Sequence, residues 1–373
     1  MSKARYIMIG GFLGAGKTTA VGRLAAQLTA QGLRVGLITN DQGANLADTA
    51  LLRSQGFATE EIPGGCFCCR FNSLVEAARA LTASTRPEVF IAEPVGSCTD
   101  LAATVAYPLR RLYGDEFTLA PVSVLLDPVR ALRVFGLEPG PAFSPKVVYI
   151  YKKQIEDADL VVLNKADLVD AARLERLRGA LLAAYPGKEI LSVSAREGVN
   201  LDAWFSCLTG SEQTAQSAME VDYAVYAEGE ALLGWLNATV QLGAAGSFDA
   251  NRLLATLAAE IQRGLQTRGA EVAHLKMTLS PDGGLGHGIA AINLVRNDAV
   301  PELAFTLEDP VASGQLIVNL RAETAPDGLA DVLREALTVL PAAFPGLNAT
   351  LEHLEHFRPG KPNPTHRFAQ AGG

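Results

Sequence analysis

The chain has 373 residues, of which 49% are hydrophobic and 19% are charged, so it is long enough for two or three domains and too apolar to be disordered. It has 32 Lys and Arg against 40 Asp and Glu, a net charge of −8 that argues against a general binder of nucleic acid or anionic membranes. Five cysteines and the lack of an apolar run of about 20 residues argue against a disulfide scaffold and a membrane span, and we expect a cytoplasmic protein.

The first half of the chain alternates short apolar strands with helices. Strands are predicted at Tyr6–Ile9, Arg34–Thr39, Val89–Ala92, Val122–Leu126, Leu160–Leu163 and Ile190–Val193. Helices are predicted between them, including Lys17–Ala30, Leu74–Leu81 and Leu174–Ala184. Because these strands are apolar throughout, both faces of their sheet should be covered. The pattern predicts an α/β domain with a doubly wound, mainly parallel sheet.

The second half of the chain changes character after the small and polar stretch Gly210–Glu220, where we place the domain boundary. Strands are predicted at Glu271–Leu279, Ile289–Arg296, Leu316–Arg321 and Leu347–Phe357, and helices at Asn251–Leu265 and Gly328–Leu340. This order predicts a smaller α+β domain of the ferredoxin-like kind. The predicted division is residues 1–212, residues 221–357 and a Pro/Gly-rich tail at 358–373. We expect the five histidines, all in the second half, to be solvated or packed.

The strongest motif is Gly11–Thr18, whose sequence GFLGAGKT fits G-x-x-x-x-G-K-[ST]. It follows the first strand and begins a helix, which is the context of a P-loop. Its glycines let backbone N–H groups face phosphate oxygens at the positive end of a helix. Lys17 can reach the β- and γ-phosphates, and the Thr18 hydroxyl can bind Mg²⁺. The predicted phosphate contacts are Gly14, Ala15, Gly16, Lys17, Thr18 and Thr19.

A second motif, Asn164–Asp167 with the sequence NKAD, directly follows an apolar strand. A carboxylate at Asp167 can accept two hydrogen bonds from guanine, at N1–H and at the exocyclic amine, and adenine offers no such pair. The motif therefore favours GTP, with Asn164, Lys165 and Asp167 as the base site. Ser194 and Ala195 are expected to contact the guanine through their backbone; a helix-capping turn is the alternative for them.

Carboxylates at two other strand ends are candidates for metal and water chemistry. Glu93 follows the strand Val89–Ala92 and is expected to hold the water shell of Mg²⁺, with the Gly96 N–H near the γ-phosphate. Asp41 follows the second strand and can coordinate Mg²⁺ or orient the attacking water; Asp48 is a weaker candidate. A solvated strand end and an Asx turn are the alternatives for Glu93 and Asp41. The predicted catalytic residues are Lys17, Asp41 and Glu93, and the predicted magnesium ligands are Thr18, Asp41 and Glu93.

Three of the five cysteines, Cys66, Cys68 and Cys69, lie in one short motif between these two carboxylates. Thiolates are soft ligands that suit Zn²⁺, Co²⁺ or Cu(I). Because adjacent cysteines have difficulty in binding one ion together, we predict two firm ligands and a variable third. Cys98, just after the Glu93 loop, is a candidate fourth ligand, with packing as the alternative. For the cluster the alternatives are buried apolar or redox-active thiols.

Together these motifs resemble the CobW-like GTPases, relatives of the nickel-insertion GTPases UreG and HypB. The matching segments, in the same order, are Gly11–Thr18, Asn40-Asp41, Gly65–Cys69, Glu93-x-x-Gly96 and Asn164–Asp167. Two positions differ from the usual pattern of that group. The loop Asn40–Gly43 has the sequence NDQG where NEFG is more frequent, and Pro94 stands where Thr or Ser is more usual.

The resemblance implies a slow GTPase that binds GTP or GDP with Mg²⁺ and couples its nucleotide state to a transition metal, Zn²⁺ or Co²⁺. It implies transfer of that metal to a client metalloprotein or a cofactor-assembly protein, and it is compatible with a homodimer. Nucleic acid and membrane partners are not expected. Two other functions remain open. One is a chaperone GTPase that gates cofactor loading of a cobalamin-dependent enzyme, and the other is a metal-responsive sensor without a delivery role.

Overall fold

The computed structural model describes residues 3–42, 47–214, 217–282 and 288–370, so that Gly43 of the NDQG loop lies outside the described residues. The chain forms two compact units: unit 1 contains residues 1–42, 57–229 and 361–373, and unit 2 contains residues 43–56 and 230–360. This division differs from the predicted one. Residues 43–56 belong to unit 2, residues 221–229 belong to unit 1, and the chain after residue 360 returns to unit 1.

Strands and helices alternate through most of unit 1 and follow a strand-rich order in unit 2. The strands are β1 Ala4–Gly11, β2 Val35–Asn40, β3 Ala58–Ile62, β4 Val89–Glu93, β5 Phe117–Leu119, β6 Ser123–Leu126, β7 Leu160–Leu163, β8 Glu189–Ser192, β9 Leu233–Phe248, β10 Glu271–Pro281, β11 Ala290–Leu294, β12 Glu302–Phe305, β13 Val311–Glu323 and β14 Leu347–Phe357. The helices are α1 Lys17–Ala30, α2 Ala47–Ser54, α3 Phe71–Thr85, α4 Tyr107–Tyr113, α5 Pro128–Val134, α6 Pro145–Asp157, α7 Ala171–Ala184, α8 Leu201–Gly210, α9 Tyr223–Leu232, α10 Ala250–Thr267 and α11 Pro326–Ala343. None of the helices in the described ranges has both the length and the apolar character that crossing a bilayer requires.

The sheet of unit 1 is parallel, with the strand order β3-β2-β4-β1-β6-β7-β8 and with β5 also paired to β1. Its central strands are buried on both faces, as their continuous apolar sequences predict. The predicted doubly wound parallel sheet is therefore confirmed. Because parallel strands end at the same edge of a sheet, β1, β2, β4 and β7 bring the residues that follow them to one edge.

The sheet of unit 2 is antiparallel throughout, with the strand order β12-β11-β10-β13-β9-β14. Strands β9, β10, β13 and β14 with helices α10 and α11 have the β-α-β-β-α-β order of a ferredoxin-like unit, and β11 and β12 extend its edge. Both helices contribute to one apolar core with the sheet. The predicted α+β domain is confirmed.

Helix α2 packs on the polar face of the unit 2 sheet, although its residues follow β2 in the chain. The Ala47 N–H donates to Asn319 Oδ1 at 2.8 Å, and Asp48 forms an ion pair with the buried Lys276. Asp48, the weaker candidate for metal and water chemistry, is thus held by a lysine of unit 2. The sequence gives no local signal that α2 belongs to unit 2, because Lys276 and Asn319, its two partners, lie far along the chain.

Candidate nucleotide and metal site

The P-loop is the turn between β1 and α1, and its shape requires glycine at both ends. Gly11 has φ 132° and Gly16 has φ 92°, both in the region that favours glycine. A Cβ at Gly11 would lie 2.4 Å from Leu125 O, and one at Gly16 would lie 2.4 Å from Asn164 Nδ2. The loop therefore fits closely between β6 and the residue after β7, and α1 begins directly at Lys17.

Lys17, Thr18 and Glu93 form a buried polar group beneath the P-loop. Lys17 Nζ donates to Gly11 O at 3.0 Å and to Phe12 O at 3.4 Å, while Thr18 Oγ1 donates to Glu93 Oε1 at 3.1 Å. Burial lowers the pKa of Lys17 and raises that of Glu93, and in each case the opposite charge of the other residue counteracts the shift. The second carboxylate oxygen, Glu93 Oε2, is buried with no hydrogen-bond partner in the described part of the chain.

The residues after β2 lie beside the Lys17, Thr18 and Glu93 group, because β2 is paired with β4, the strand that ends at Glu93. Asp41 adds its charge to the burial that raises the pKa of Glu93, so the two carboxylates lie close enough to repel each other. The Asn40 side chain has a different role, since its Nδ2 donates to Ile62 O at 2.8 Å and to Gly65 O at 2.6 Å. Asn40 therefore ties the end of β2 to the residue that precedes the cysteine motif.

The base motif is joined to the P-loop through Asn164. Its Nδ2 donates to Ala15 O at 2.9 Å, and its Oδ1 accepts from Ala195 N at 3.0 Å. Arg23 of α1 also donates to Ala195 O at 3.1 Å. Asn164 and Arg23 thus fix the predicted Ser194-Ala195 loop beside the P-loop. Thr19, the last of the predicted phosphate contacts, is exposed.

Lys165 forms a second link between the base motif and the P-loop. It also pairs with Asp127, a residue that the sequence analysis missed. Lys165 Nζ donates to Gly14 O at 2.7 Å and forms an ion pair with Asp127 Oδ2 at 3.0 Å. Asp127 follows β6 and accepts from Arg130 N at 3.0 Å, which caps α5. Its position directly after an apolar strand was the available signal. Asp167 is exposed beside this group, so its carboxylate is accessible to a base.

The segment Glu93–Asp100 runs from β4 past the P-loop, and Gln154 of α6 holds its centre. Gly96 is buried and packs so closely that a Cβ there would lie 2.7 Å from Leu13 Cδ2 in the P-loop. Gln154 Nε2 donates to Gly96 O at 2.9 Å and to Cys98 O at 2.8 Å. No pattern in the sequence singles out this buried glutamine. We call Glu93–Asp100 the switch segment below.

The three clustered cysteines converge on one point, because the chain makes a helical turn just before α3. The N–H of Cys69 donates to Cys66 O at 3.0 Å. The Sγ–Sγ distances are 2.7 Å between Cys66 and Cys68, 3.4 Å between Cys66 and Cys69, and 3.7 Å between Cys68 and Cys69. A tetrahedral zinc site with Zn–S bonds of about 2.3 Å requires sulfur separations of about 3.8 Å. The separation of the adjacent Cys68 and Cys69 sulfurs is close to this value, whereas both pairs that include Cys66 would have to open.

Cys98 contacts this cluster from the switch segment. Hydrogen bonds from Cys68, then Cys69 and Cys98, lower the pKa of Cys66 well below its ordinary value. The contact with Cys66 raises the pKa of Cys68 and raises that of Cys69 to about 11. These shifts favour a thiolate at Cys66, which accepts a hydrogen bond chiefly from the neighbouring Cys68 thiol. No other group of three or more His, Cys, Asp or Glu side chains in the described ranges has the spacing of a metal site.

Residues 5–192 match the family described as CobW/HypB/UreG, nucleotide-binding domain. This match covers just over half of the chain and includes the P-loop, the cysteine motif, the switch segment and Asn164–Asp167, whereas Ser194 and Ala195 lie just beyond it. The chain belongs to the CobW/HypB/UreG family. The identification bears out the resemblance seen in the sequence and establishes residues 5–192 as a nucleotide-binding domain.

Curated relatives share this half of the chain. It is 32% identical over 195 residues to a protein named zinc chaperone CobW from Sinorhizobium sp., a match that covers 46% of this chain and 53% of the relative. It is 30% identical over 166 residues to one named zinc chaperone YeiR from Escherichia coli K12, which covers 44% of this chain and 47% of the relative. The chain therefore spans about half the length of these relatives.

Solved structures show a weaker likeness. The structure of HypB from Helicobacter pylori in complex with nickel is 18% identical and covers 55% of this chain and 86% of that one, with a TM-score of 0.40. The structure of Zn(II)-bound YjiA GTPase from E. coli is 13% identical and covers 91% of this chain and 99% of that one, with a TM-score of 0.40. These scores are low, so the fold rests on the strand order described above.

Proposed function

We propose that the protein is a GTP-hydrolysing metallochaperone that binds Zn²⁺ at its cysteine cluster and transfers it to a client metalloprotein or cofactor-assembly protein. The observation that carries the proposal is the position of the switch segment. At one end Glu93 accepts a hydrogen bond from Thr18 of the P-loop. Further along, Cys98 contacts Cys66 of the cluster. One continuous piece of chain thus connects the phosphate site with the metal site.

The nucleotide site has the groups that GTP hydrolysis requires. Thr18 and Glu93, with Asp41 nearby, would hold Mg²⁺, which supplies positive charge to the β- and γ-phosphates. The buried and unpartnered Glu93 Oε2 fits that role, because an oxygen in this state needs a cation or a donor. Lys17 binds the γ-phosphate, and Asp41 orients the attacking water. Asp167 accepts from the guanine base.

The cysteine cluster has the chemistry of a zinc site, and the names of the two curated relatives support zinc as the cargo. We propose Cys66, Cys68 and Cys69 as ligands, with Cys98 as the fourth sulfur. Four thiolates fill a tetrahedral shell. Because Cys98 belongs to the switch segment, movement of that segment after hydrolysis would withdraw one ligand and weaken zinc binding. Cobalt remains an alternative cargo, since thiolate sites do not select strongly between the two metals.

A zinc competition titration tests the coupling. The affinity of the protein for Zn²⁺ is measured against a chromogenic chelator, once with GDP and once with a non-hydrolysable GTP analogue, and repeated with Co²⁺ and Ni²⁺. We expect zinc to bind about tenfold or more tightly in one nucleotide state, because a ligand is gained or lost. Cys98→Ser should remove this difference. Cys207→Ser in α8, outside the cluster, is the matched control and should behave like the wild-type protein.

Three results would contradict the proposal. Equal zinc affinities in the two nucleotide states mean that the coupling free energy is zero, which would exclude the proposed switch mechanism. Phosphate release from GTP that is unchanged in Glu93→Gln would show that the carboxylate under the P-loop has no part in hydrolysis. An unchanged client activation in a Cys66→Ser, Cys68→Ser double variant would favour cofactor gating with a structural ion instead.

A further inference from the structure

The chain beyond unit 2 returns to unit 1 and lies along the cysteine motif. We call residues 361–370 the C-terminal strap. The Asn363 N–H donates to Cys69 Sγ at 3.2 Å. The Thr365 N–H donates to Cys68 O at 2.8 Å, and the Thr365 hydroxyl donates to Cys69 O at 3.1 Å. Three hydrogen bonds thus join the strap to two of the proposed zinc ligands.

The strap lies on the accessible side of the cluster. Cys66 and Cys68 are each 1% exposed, whereas Cys69 is partly exposed. A metal ion that enters or leaves must therefore pass the Cys69 side, because the other two sulfurs are enclosed by the protein. The backbone at Asn363 covers that sulfur and donates to it. A backbone N–H at this position also stabilises a thiolate or a metal-bound sulfur.

The same strap is attached to the switch segment a few residues further on. Arg367 Nε donates to Asp100 Oδ2 at 2.8 Å, and Asp100, the last residue of the switch segment, is completely buried. Tyr223 OH donates to the same Asp100 oxygen at 2.7 Å. A buried carboxylate needs such a partner, so the ion pair fixes the position of Arg367 relative to the switch segment.

The end of the strap is fixed by the residues that follow the switch segment. The Phe368 N–H donates to Ala103 O at 3.0 Å, and the guanidinium of Arg111 lies 4.9 Å from the centre of the Phe368 ring. The His366 ring packs edge-on against the ring of Phe71, with 5.0 Å between the ring centres. Phe71 lies two residues after Cys69. The strap is therefore a bound element of unit 1, in contact with both the cysteine motif and the switch segment.

We propose that the C-terminal strap is a lid over the zinc site, which the Arg367–Asp100 ion pair connects to the nucleotide switch. The inference rests on the proposed function, since it concerns how metal leaves the same site. In the closed state the strap slows release of zinc. When the switch segment moves, Asp100 moves with it, the ion pair is strained or broken, and the strap uncovers Cys69.

Zinc release kinetics test the lid. The protein is loaded with Zn²⁺ alone, and the rate of transfer to an excess of chelator is followed with GDP and with the GTP analogue. We expect Arg367→Met to raise the slower of the two rates about tenfold and to bring both rates close together. Asn363→Pro removes the N–H that faces Cys69, together with an exposed side chain, and should raise the rates without changing their ratio. A chain that ends after Gly360 should release zinc fastest in both states.

Arg358→Met is the matched control, because Arg358 donates to Ala231 O within unit 2 and lies just outside the strap. It should release zinc at the wild-type rates. Since Arg367→Met leaves a buried carboxylate without its ion-pair partner, the thermal midpoint and the GDP affinity of each variant establish that it is folded. If Arg367→Met does not fold, Asn363→Pro tests the lid instead, because Asn363 is exposed and takes no part in the ion pair.

The outcomes separate this inference from the proposed function. If the wild-type protein binds no zinc, or releases it equally fast in both nucleotide states, the proposed function fails. If the wild-type rates differ but Arg367→Met, Asn363→Pro and the shortened chain all keep both wild-type rates, the strap is not a lid, and only this inference is overturned.

Discussion

The nucleotide site and the cysteine site lie in the same unit but are constructed differently. The P-loop and the base motif come from the ends of β1 and β7, in a regular parallel sheet, and they contact each other directly through Asn164 and Lys165. The cysteines are adjacent in sequence, yet their supporting contacts come from distant segments. Asn40 holds the residue before Cys66, and Asn363 donates to Cys69.

This difference indicates which substitutions should weaken each site. A site whose residues all sit on one rigid sheet edge depends mainly on its own motif. A site supported by separate segments changes when any of them moves, which would suit the release of metal that we propose. Substitutions should therefore affect the nucleotide site only within its motifs, and the cysteine site also from a distance.

The largest effect is expected for Lys17→Ala. Lys17 is buried under the P-loop with its ammonium bound to Gly11 O, and in the proposed function its charge is the direct partner of the terminal phosphate. We expect a loss of GTP affinity or turnover of about 100-fold or more, measured by calorimetry and phosphate release. Lys3→Ala, at an exposed lysine, is the control. A small effect on both measurements would contradict the assignment of the P-loop.

The next effect is a change of base preference in Asp167→Asn. A carboxamide accepts one hydrogen bond and donates one, so it matches xanthine, which has a carbonyl where guanine has its amine. We expect the affinity for GTP to fall about tenfold to 100-fold and that for xanthosine triphosphate to rise. Competition binding of the two nucleotides measures this. An unchanged preference would remove Asp167 from the base site.

A smaller effect tests the distant support of the cysteines. Asn40→Ala removes the two side-chain hydrogen bonds to Ile62 O and Gly65 O but leaves every cysteine in place. We expect zinc affinity to fall about tenfold, as for loss of a residue that orients ligands, with GTP affinity nearly unchanged. If GTP binding is weakened more than zinc binding, the two sites are not distinct in the way described above.

The smallest effect on either site is expected for Asp157→Asn, which instead changes how stability depends on pH. Asp157 accepts from Leu101 N at 2.5 Å, and burial, with the nearby charge of Asp100, raises its pKa from 3.8 to about 7. A raised pKa means that the folded protein binds this proton more tightly than the unfolded chain. The stabilisation is therefore present below about pH 4 and is lost as the pH rises to about 7.

An asparagine cannot ionise but keeps an oxygen that accepts from the backbone. The thermal midpoint of Asp157→Asn should therefore decline less than that of the wild-type protein between about pH 4 and pH 7. Thermal unfolding followed across this range measures the difference, and parallel curves for the two proteins would show that Asp157 does not titrate there.

Much of the fold and of the nucleotide site was predictable because the signals are local. The apolar strands of unit 1 and the glycine spacing of the P-loop are set by neighbours in the chain. Asp127 and Gln154 were missed, since each acts on residues far from it in sequence: Lys165 in one case, and Gly96 and Cys98 in the other. The domain division was also imprecise, because α2 finds its partners on the polar face of a sheet formed much later in the chain.

By itself, the sequence determined the class of the protein: a P-loop domain, a base motif, a cysteine cluster and an α+β second half. These depend on periodicity and on short motifs with fixed backbone geometry. Only the tertiary structure decided that Cys98 reaches Cys66, and that the strap lies over Cys69 and pairs with Asp100. The strap contacts join segments that are more than 200 residues apart, and all of these contacts form only because the chain folds and buries the groups that need partners.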